Sequence, residues 1–298
     1  MKIGKLAKAA ALALAISAAP ITNYAEPIHE SEVVKRPKYE KILDVEKVPI
    51  LMYHEIGNPK ESEYGKRYTT TPEVFREQLQ VLYENNYVPV SLEEFVNEDF
   101  PAGKRPYMLT FDDASRGQFN YVMEEGKLKP DPDSAVGILE EMAEKYSDFE
   151  AKAVFFVDFV DKKGYFEVPF GQENLEKQKL KYLAGNGYDV QCHTTFHHFI
   201  SKESFKSLYN NTKMYEHLVE QKPKHESIAY PYGDIPDNSK KKDFIEENFD
   251  YAFGAWGNRN GNLAYVPSSD KFEPYNIPRI EVNNDMENIE RYVLGALE

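Results

Sequence analysis

At 298 residues the chain is long enough for one large α/β barrel or two modest domains, and its 41% hydrophobic and 13% aromatic content excludes wholesale disorder. A formal charge of −14 repels phosphate backbones and anionic membrane surfaces, which argues against a binder of nucleic acid or of a membrane surface. A single cysteine, Cys192, rules out an internal disulfide, so stability must come from packing and from whatever the chain binds.

The chain opens with Lys2, Lys5 and Lys8 followed by an apolar run from Ala9 to Ala19 and then Pro20, the pattern of an export signal. Cleavage after Ala25 is the expectation; an uncleaved anchor is the other reading. The run is too short to span a bilayer, so no stable membrane span is expected once it is removed. Losing residues 1–25, with their three lysines and no acids, takes the charge to −17. The chain is therefore expected to be exported, to the periplasm, the cell envelope or the extracellular medium. Residues 26–46 are charged, contain Pro27 and Pro37 and lack an apolar period, which reads as an exposed linker before one domain over 47–298.

Within that domain, strand and helix signals alternate. Val48 to Tyr53 is an apolar run suited to a buried strand. Thr71-Pro72 opens a helix as N-cap and first position, with Val74, Phe75, Leu79 and Leu82 at helical spacing. Tyr87 to Val90 reads as strand, Ser91-Leu92-Glu93-Glu94 as a capped helix start, and Tyr107 to Phe111 and Ala153 to Val157 as further strands. The stretch from Ala114 to Glu150 is an excursion with a helical pattern from Ser134 to Tyr146, placed where it can wall a groove. Tyr188 to Cys192 reads as strand, Ser201 to Glu220 as helix and Ser227 to Tyr230 as strand. Such alternation implies parallel strands with helices outside.

Two clusters carry chemistry. Asp112-Asp113 ends an apolar strand, and adjacent carboxylates there need a cation or a shared proton to relieve their repulsion. The plain alternative is a solvated turn. His193-Thr194-Thr195-Phe196-His197-His198 follows another strand, and two histidines four apart in a helical turn would face the same way and share one ion. One Asp with two His leaves coordination positions open, the pattern of a catalytic rather than a structural metal site.

These motifs resemble those of the NodB-like polysaccharide deacetylases, carbohydrate esterase family 4, over residues 48 to 298. The likeness rests on Thr110-Phe111-Asp112-Asp113 and His193-Thr194-Thr195-Phe196-His197. Pro49 to His54, Ala153 to Val157 and Tyr230-Pro231-Tyr232-Gly233 support it in the same order. The resemblance implies a distorted (β/α) barrel with fewer than eight complete repeats, of NodB-homology type. It implies a divalent metal, usually Zn2+, held by Asp113, His193 and His197, with Asp112 as base and the backbone N–H of Tyr232 stabilising the oxyanion. The substrate would be an acetylated glycan; no protein partner is indicated.

Two positions depart from the family. The arginine that begins the third motif in many relatives is absent from Ala229-Tyr230-Pro231-Tyr232, and Arg279 is the expected substitute, pairing with Asp112 from another strand. A surface arginine at a strand end is its alternative reading. Val282 stands where a histidine commonly protonates the leaving group, which leaves the general acid unassigned and keeps open a noncatalytic glycan-binding protein on the same barrel. His54 is expected at the active face in a supporting role. Trp256 is either a packing residue or a ring for sugar stacking.

Overall fold

The signals that start the helices are local. Thr71 Oγ1 accepts the N–H of Val74 at 3.3 Å and Pro72 fills the first helical position, where its missing donor costs nothing. Ser91 and Glu94 form a reciprocal capping box, and Ser134 Oγ accepts the N–H of Gly137. A computed structural model describes residues 45–61, 65–159, 168–219 and 223–295 of the chain. The export-signal pattern and nearly all of the 26–46 linker lie outside the described residues.

Eight strands build one sheet: β1 (Ile50–Tyr53), β2 (Tyr87–Pro89), β3 (Arg105–Asp112), β4 (Val154–Val157), β5 (Asp189–Cys192), β6 (Ser227–Ala229), β7 (Tyr251–Phe253) and β8 (Ile280–Glu281). Their order is β7-β6-β5-β4-β3-β1-β8, with β2 paired to β3 off that path, and every pairing is parallel. The sheet curls on itself. Ile277, just ahead of β8, bridges Phe253 of β7, so the two ends of the sheet meet across a single seam. This is the distorted barrel expected from the motifs.

The longer helices are α1 (Pro72–Glu84), α2 (Leu92–Asn97), α3 (Ala135–Lys145), α4 (Glu176–Gly185), α5 (Phe205–Leu218) and α6 (Ser239–Asn248). Alternation along the strands sorts the core into two layers. Ile50, Met108, Val154 and Phe156 join an inner cluster, whereas Leu51, Leu109, Phe111, Phe155 and Val157 pack outward with Phe75, Leu79 and Leu139 of the helices. Each such fully buried side chain contributes about 1.5–3 kcal/mol. Cys192 belongs to the outer layer, opposite His193.

The excursion after β3 contains an antiparallel hairpin, Tyr121–Glu124 with Lys127–Pro130, that the sequence reading did not anticipate. It turns at Glu125 and Gly126, whose φ values of 50° and 78° suit a tight hairpin. The excursion is pinned to the barrel at Gly117, where a Cβ would come within 1.7 Å of the Ile56 carbonyl oxygen, so only glycine fits. Helix α5 begins at Phe205 rather than Ser201, because Ser201 is committed elsewhere: its N–H and hydroxyl both go to Asp234. Among the described residues, no helix is long and apolar enough to cross a membrane.

Candidate active site

The period of two along β3 decides which groups face the barrel interior. Thr110 and Asp112 alternate with the outward Leu109 and Phe111, so the Asp112 carboxylate is carried inward at the carboxyl end of the strand, the end where barrels build their active sites. The chain then turns sharply: Asp113 and Ala114 sit at φ 75° and 46°, and the Asp113 N–H donates to Phe156 O at 3.1 Å. That left-handed turn lets adjacent carboxylates share one site instead of facing opposite ways.

His193 continues β5 and is 1% exposed. Its Nδ1 lies 2.9 Å from Ala229 O, a pure acceptor, so Nδ1 carries the proton and Nε2 presents its lone pair. That Nε2 is 3.2 Å from Asp113 Oδ1 and 3.8 Å from Asp112 Oδ2. His197 Nε2 reaches the same Asp113 oxygen at 3.2 Å, and the two imidazole centroids are 4.8 Å apart. The histidines do not share a helical turn, which corrects the sequence expectation. The segment between them is a loop with Thr194 and His197 in the left-handed region, φ 59° and 45°. Its backbone is tied by Thr195 Oγ1 to Asn211 O at 2.6 Å and by Phe159 N–H to Thr195 O at 3.1 Å, and these bonds replace a helical ladder. Beyond His197, Lys241 Nζ donates to Ile200 O and Ser201 O at 2.8 and 2.6 Å and holds the loop's exit.

One carboxylate oxygen and two imidazole nitrogens thus converge within 4.8 Å of one another. A cation between the nitrogens and the carboxylate oxygen, 3.2 Å apart, would satisfy all three, and the mixed N/O donors suit zinc or a similar divalent ion. The donor set fits the metal that the resemblance implies.

Asp112 has a separate partner. Arg279 Nη1 and Nη2 donate to its Oδ1 and Oδ2 at 2.6 and 2.8 Å, a bidentate fork. Arg279 is 1% exposed, so it is no surface arginine. Its Nε donates to Gly254 O at 2.6 Å, Nη1 reaches Thr110 Oγ1 at 3.2 Å, and the guanidinium lies over the Phe156 ring at 5.3 Å. Burial pushes the Asp112 carboxyl up, but the charges of Arg279, His193 and His54 and the Arg279 hydrogen bonds outweigh it and hold the group below its ordinary value. Asp112 is therefore kept ionised.

Tyr232 sits at φ 58° in a single 3-10 turn, half exposed, its ring edge-on to His197 at 4.5 Å and stacked on Phe199 at 4.0 Å. His54 follows β1, its ring tilted against Tyr68 with centroids 4.8 Å apart, and its charge is felt by both Asp112 and Glu281. Val282 is buried and engaged through its N–H to Met52 O.

Sequence reasoning missed Gln118. Its buried amide donates to His54 O and to Asp112 O, both at 2.5 Å, and ties the ends of β1 and β3 together. It lies in the excursion with no motif around it, and a lone Gln carries no signal of such a contact. Glu281 was also overlooked. It accepts Arg67 Nε and Nη2 at 2.9 and 3.0 Å and the Trp256 indole N–H at 3.0 Å.

Residues 100–244 match the family model described as polysaccharide deacetylase. Solved structures share the fold. A polysaccharide deacetylase from Bacillus cereus aligns with a TM-score of 0.60 at 21% identity, covering 83% of this chain and 68% of its own. The Streptococcus pyogenes deacetylase PplD, in complex with acetate, gives 0.59 at 22% identity, covering 82% and 97%. IcaB from Ammonifex degensii gives 0.56 at 17%, covering 82% and 95%. No curated protein sequence matches the chain. Residues 100–244 thus carry the polysaccharide deacetylase match, the motifs stand in their expected order, and the barrel that holds them is the fold these solved structures share.

Proposed function

We propose that this protein is a metal-dependent hydrolase that removes acetyl groups, N-acetyl in particular, from an extracellular or cell-envelope polysaccharide. The convergence of Asp113, His193 and His197 beside the Asp112–Arg279 pair carries the reading. Asp113 Oδ1 and the Nε2 atoms of His193 and His197 would hold a divalent ion, with zinc the best fit to the donors. When bound, that ion supplies Lewis acidity that polarises the acetyl carbonyl and acidifies water.

The chain's own groups do the rest. Asp112, kept anionic by Arg279, takes the proton from the attacking water as its oxygen bonds to the carbonyl carbon. Arg279 stays protonated throughout and fixes the carboxylate's orientation. The backbone N–H of Tyr232 would serve as the hydrogen-bond donor to the developing oxyanion. The C–N bond then breaks, and the nitrogen leaves with a proton as free amine while acetate forms. We assign the gift of that proton to His54, which follows β1 at the active face and whose charge bears on Asp112 and Glu281, because Val282 offers no imidazole. The basic and apolar pattern of residues 1–25 supports export.

The test is acetate release from a panel of acetylated glycans and short oligosaccharides, with and without added zinc, beside Asp112→Asn. Zinc-dependent release that the variant abolishes supports the proposal. No release from any substrate, despite one zinc bound per chain through His193 and His197, refutes it in favour of a noncatalytic glycan binder.

A further inference from the structure

Trp256 is the chain's only tryptophan, and it is 49% exposed although an indole gains more than any other side chain from burial. Its polar atom is committed, since Nε1–H donates to Glu281 Oε2 at 3.0 Å. Glu281 is itself only 10% exposed and takes both ends of the Arg67 fork. Burial pushes the Glu281 carboxyl up, but the hydrogen bonds from Arg67 and Trp256 and the charges of Arg67 and His54 hold it below its ordinary value. On another side the indole lies against the third motif: a Cβ on Gly233 would come 3.2 Å from Trp256 Cζ3. Adjacent Tyr232, 50% exposed, is the ring that stands edge-on to His197.

Two open aromatic surfaces therefore sit side by side at the mouth of the site. One touches a metal-ligand candidate. The other is locked by a carboxylate two residues beyond Arg279, the partner of Asp112. An indole held at its edges with much of its surface open offers an apolar platform already in position, at little entropic cost on binding. A pyranose ring suits it, because its axial C–H face is apolar while its hydroxyls lie at the rim.

We propose that Trp256, clamped by Glu281 and Arg67, is the stacking platform for the hexosamine unit next to the acetylated one, with Tyr232 as the second rim. The inference rests on the glycan-deacetylase reading and adds a subsite that would make the protein prefer a chain over a single sugar.

Because Trp256 is the sole indole, its emission reports this subsite directly. The metal-free protein is titrated with the N-acetylglucosamine pentamer and, separately, with the monomer. A saturable shift is expected with the pentamer at a concentration at least about tenfold below that needed with the monomer. In the zinc-loaded protein, Trp256→Ala should raise the KM ratio of pentamer to a small aryl acetate about tenfold, and Trp256→Phe should restore most of it. A pentamer that leaves the emission unchanged, or a KM that rises equally for both substrates, overturns the platform. If the emission shifts while no acetate is released from any substrate, the platform stands and the deacetylase reading fails. If acetate is released with no shift and no change in the KM ratio, the reverse holds.

Discussion

Replacing Arg279 by Met in the metal-free protein would strand the Asp112 carboxylate inside the barrel. The guanidinium makes two charge-assisted bonds to Asp112 and further bonds to Gly254 O and Thr110 Oγ1, all with the side chain fully buried. Removing one partner of a buried pair leaves an uncompensated charge, which costs about 3–5 kcal/mol and lowers Tm by about 10 °C in a domain of this size. Removing the other charge as well should relieve most of this: Asp112→Asn with Arg279→Met is expected to recover at least about 2 kcal/mol over Arg279→Met alone. Urea titrations followed by circular dichroism in EDTA at pH 7, for the wild type, both single variants and the double, give the coupling energy. A loss under about 1 kcal/mol for Arg279→Met, or strict additivity, would refute the pairing and leave Arg279 as packing.

Further outcomes follow from the same geometry. His54→Asn should lower kcat on an N-acetylated oligosaccharide about 100-fold or more and lower it far less on an aryl acetate, whose leaving group needs no proton; equal losses on both would exclude His54 as donor. Burial pushes the Asp189 carboxyl up to about 6, although it accepts the Leu92 N–H at 3.3 Å. A raised carboxyl pKa favours the folded state while protonated, so this contribution is complete below pH ~4 and is lost as pH rises through 6. Asp189→Asn keeps the acceptor and should gain about 1–2 kcal/mol at pH 7 but nothing at pH 4, read as a pH-dependent Tm difference. Zinc at 100 times its dissociation constant should stabilise the protein by about 2.7 kcal/mol, and His193→Ala with His197→Ala should abolish that gain; calorimetry checks it.

Much of this was legible where the chemistry is local. Thr71-Pro72, Ser91 with Glu94, and Ser134 mark helix starts because a cap is satisfied within three residues, and no distant contact can override it cheaply. Asp112-Asp113 and the His193 to His197 stretch drew attention together, because one Asp with two His at strand ends makes a metal donor set and the ordered motifs resemble a known family. What escaped was whatever depends on chain folding back from far away. The histidines meet through a left-handed loop, not a helix, and what holds that loop are Asn211, Phe159 and Lys241, remote in sequence. Ser201 reads as a helix start but is captured by Asp234, which shifts the start of α5 to Phe205. Gln118 and Glu281 look like surface polar residues until the barrel places them against His54, Asp112, Arg67 and Trp256.

The seam of the barrel has a consequence for how the protein is made. Strand β8 is the last of the sheet in chain order, and the segment that leads into it both bridges β7 and delivers Arg279 to Asp112. Closing the wall and forming the Asp112–Arg279 pair are one event. A chain still emerging from the ribosome can lay down the strands before β8, yet it lacks a partnered Asp112 until the last strand of the sheet docks. Any chemistry that needs Asp112 held by Arg279 is thereby deferred until the final strand of the sheet is in place.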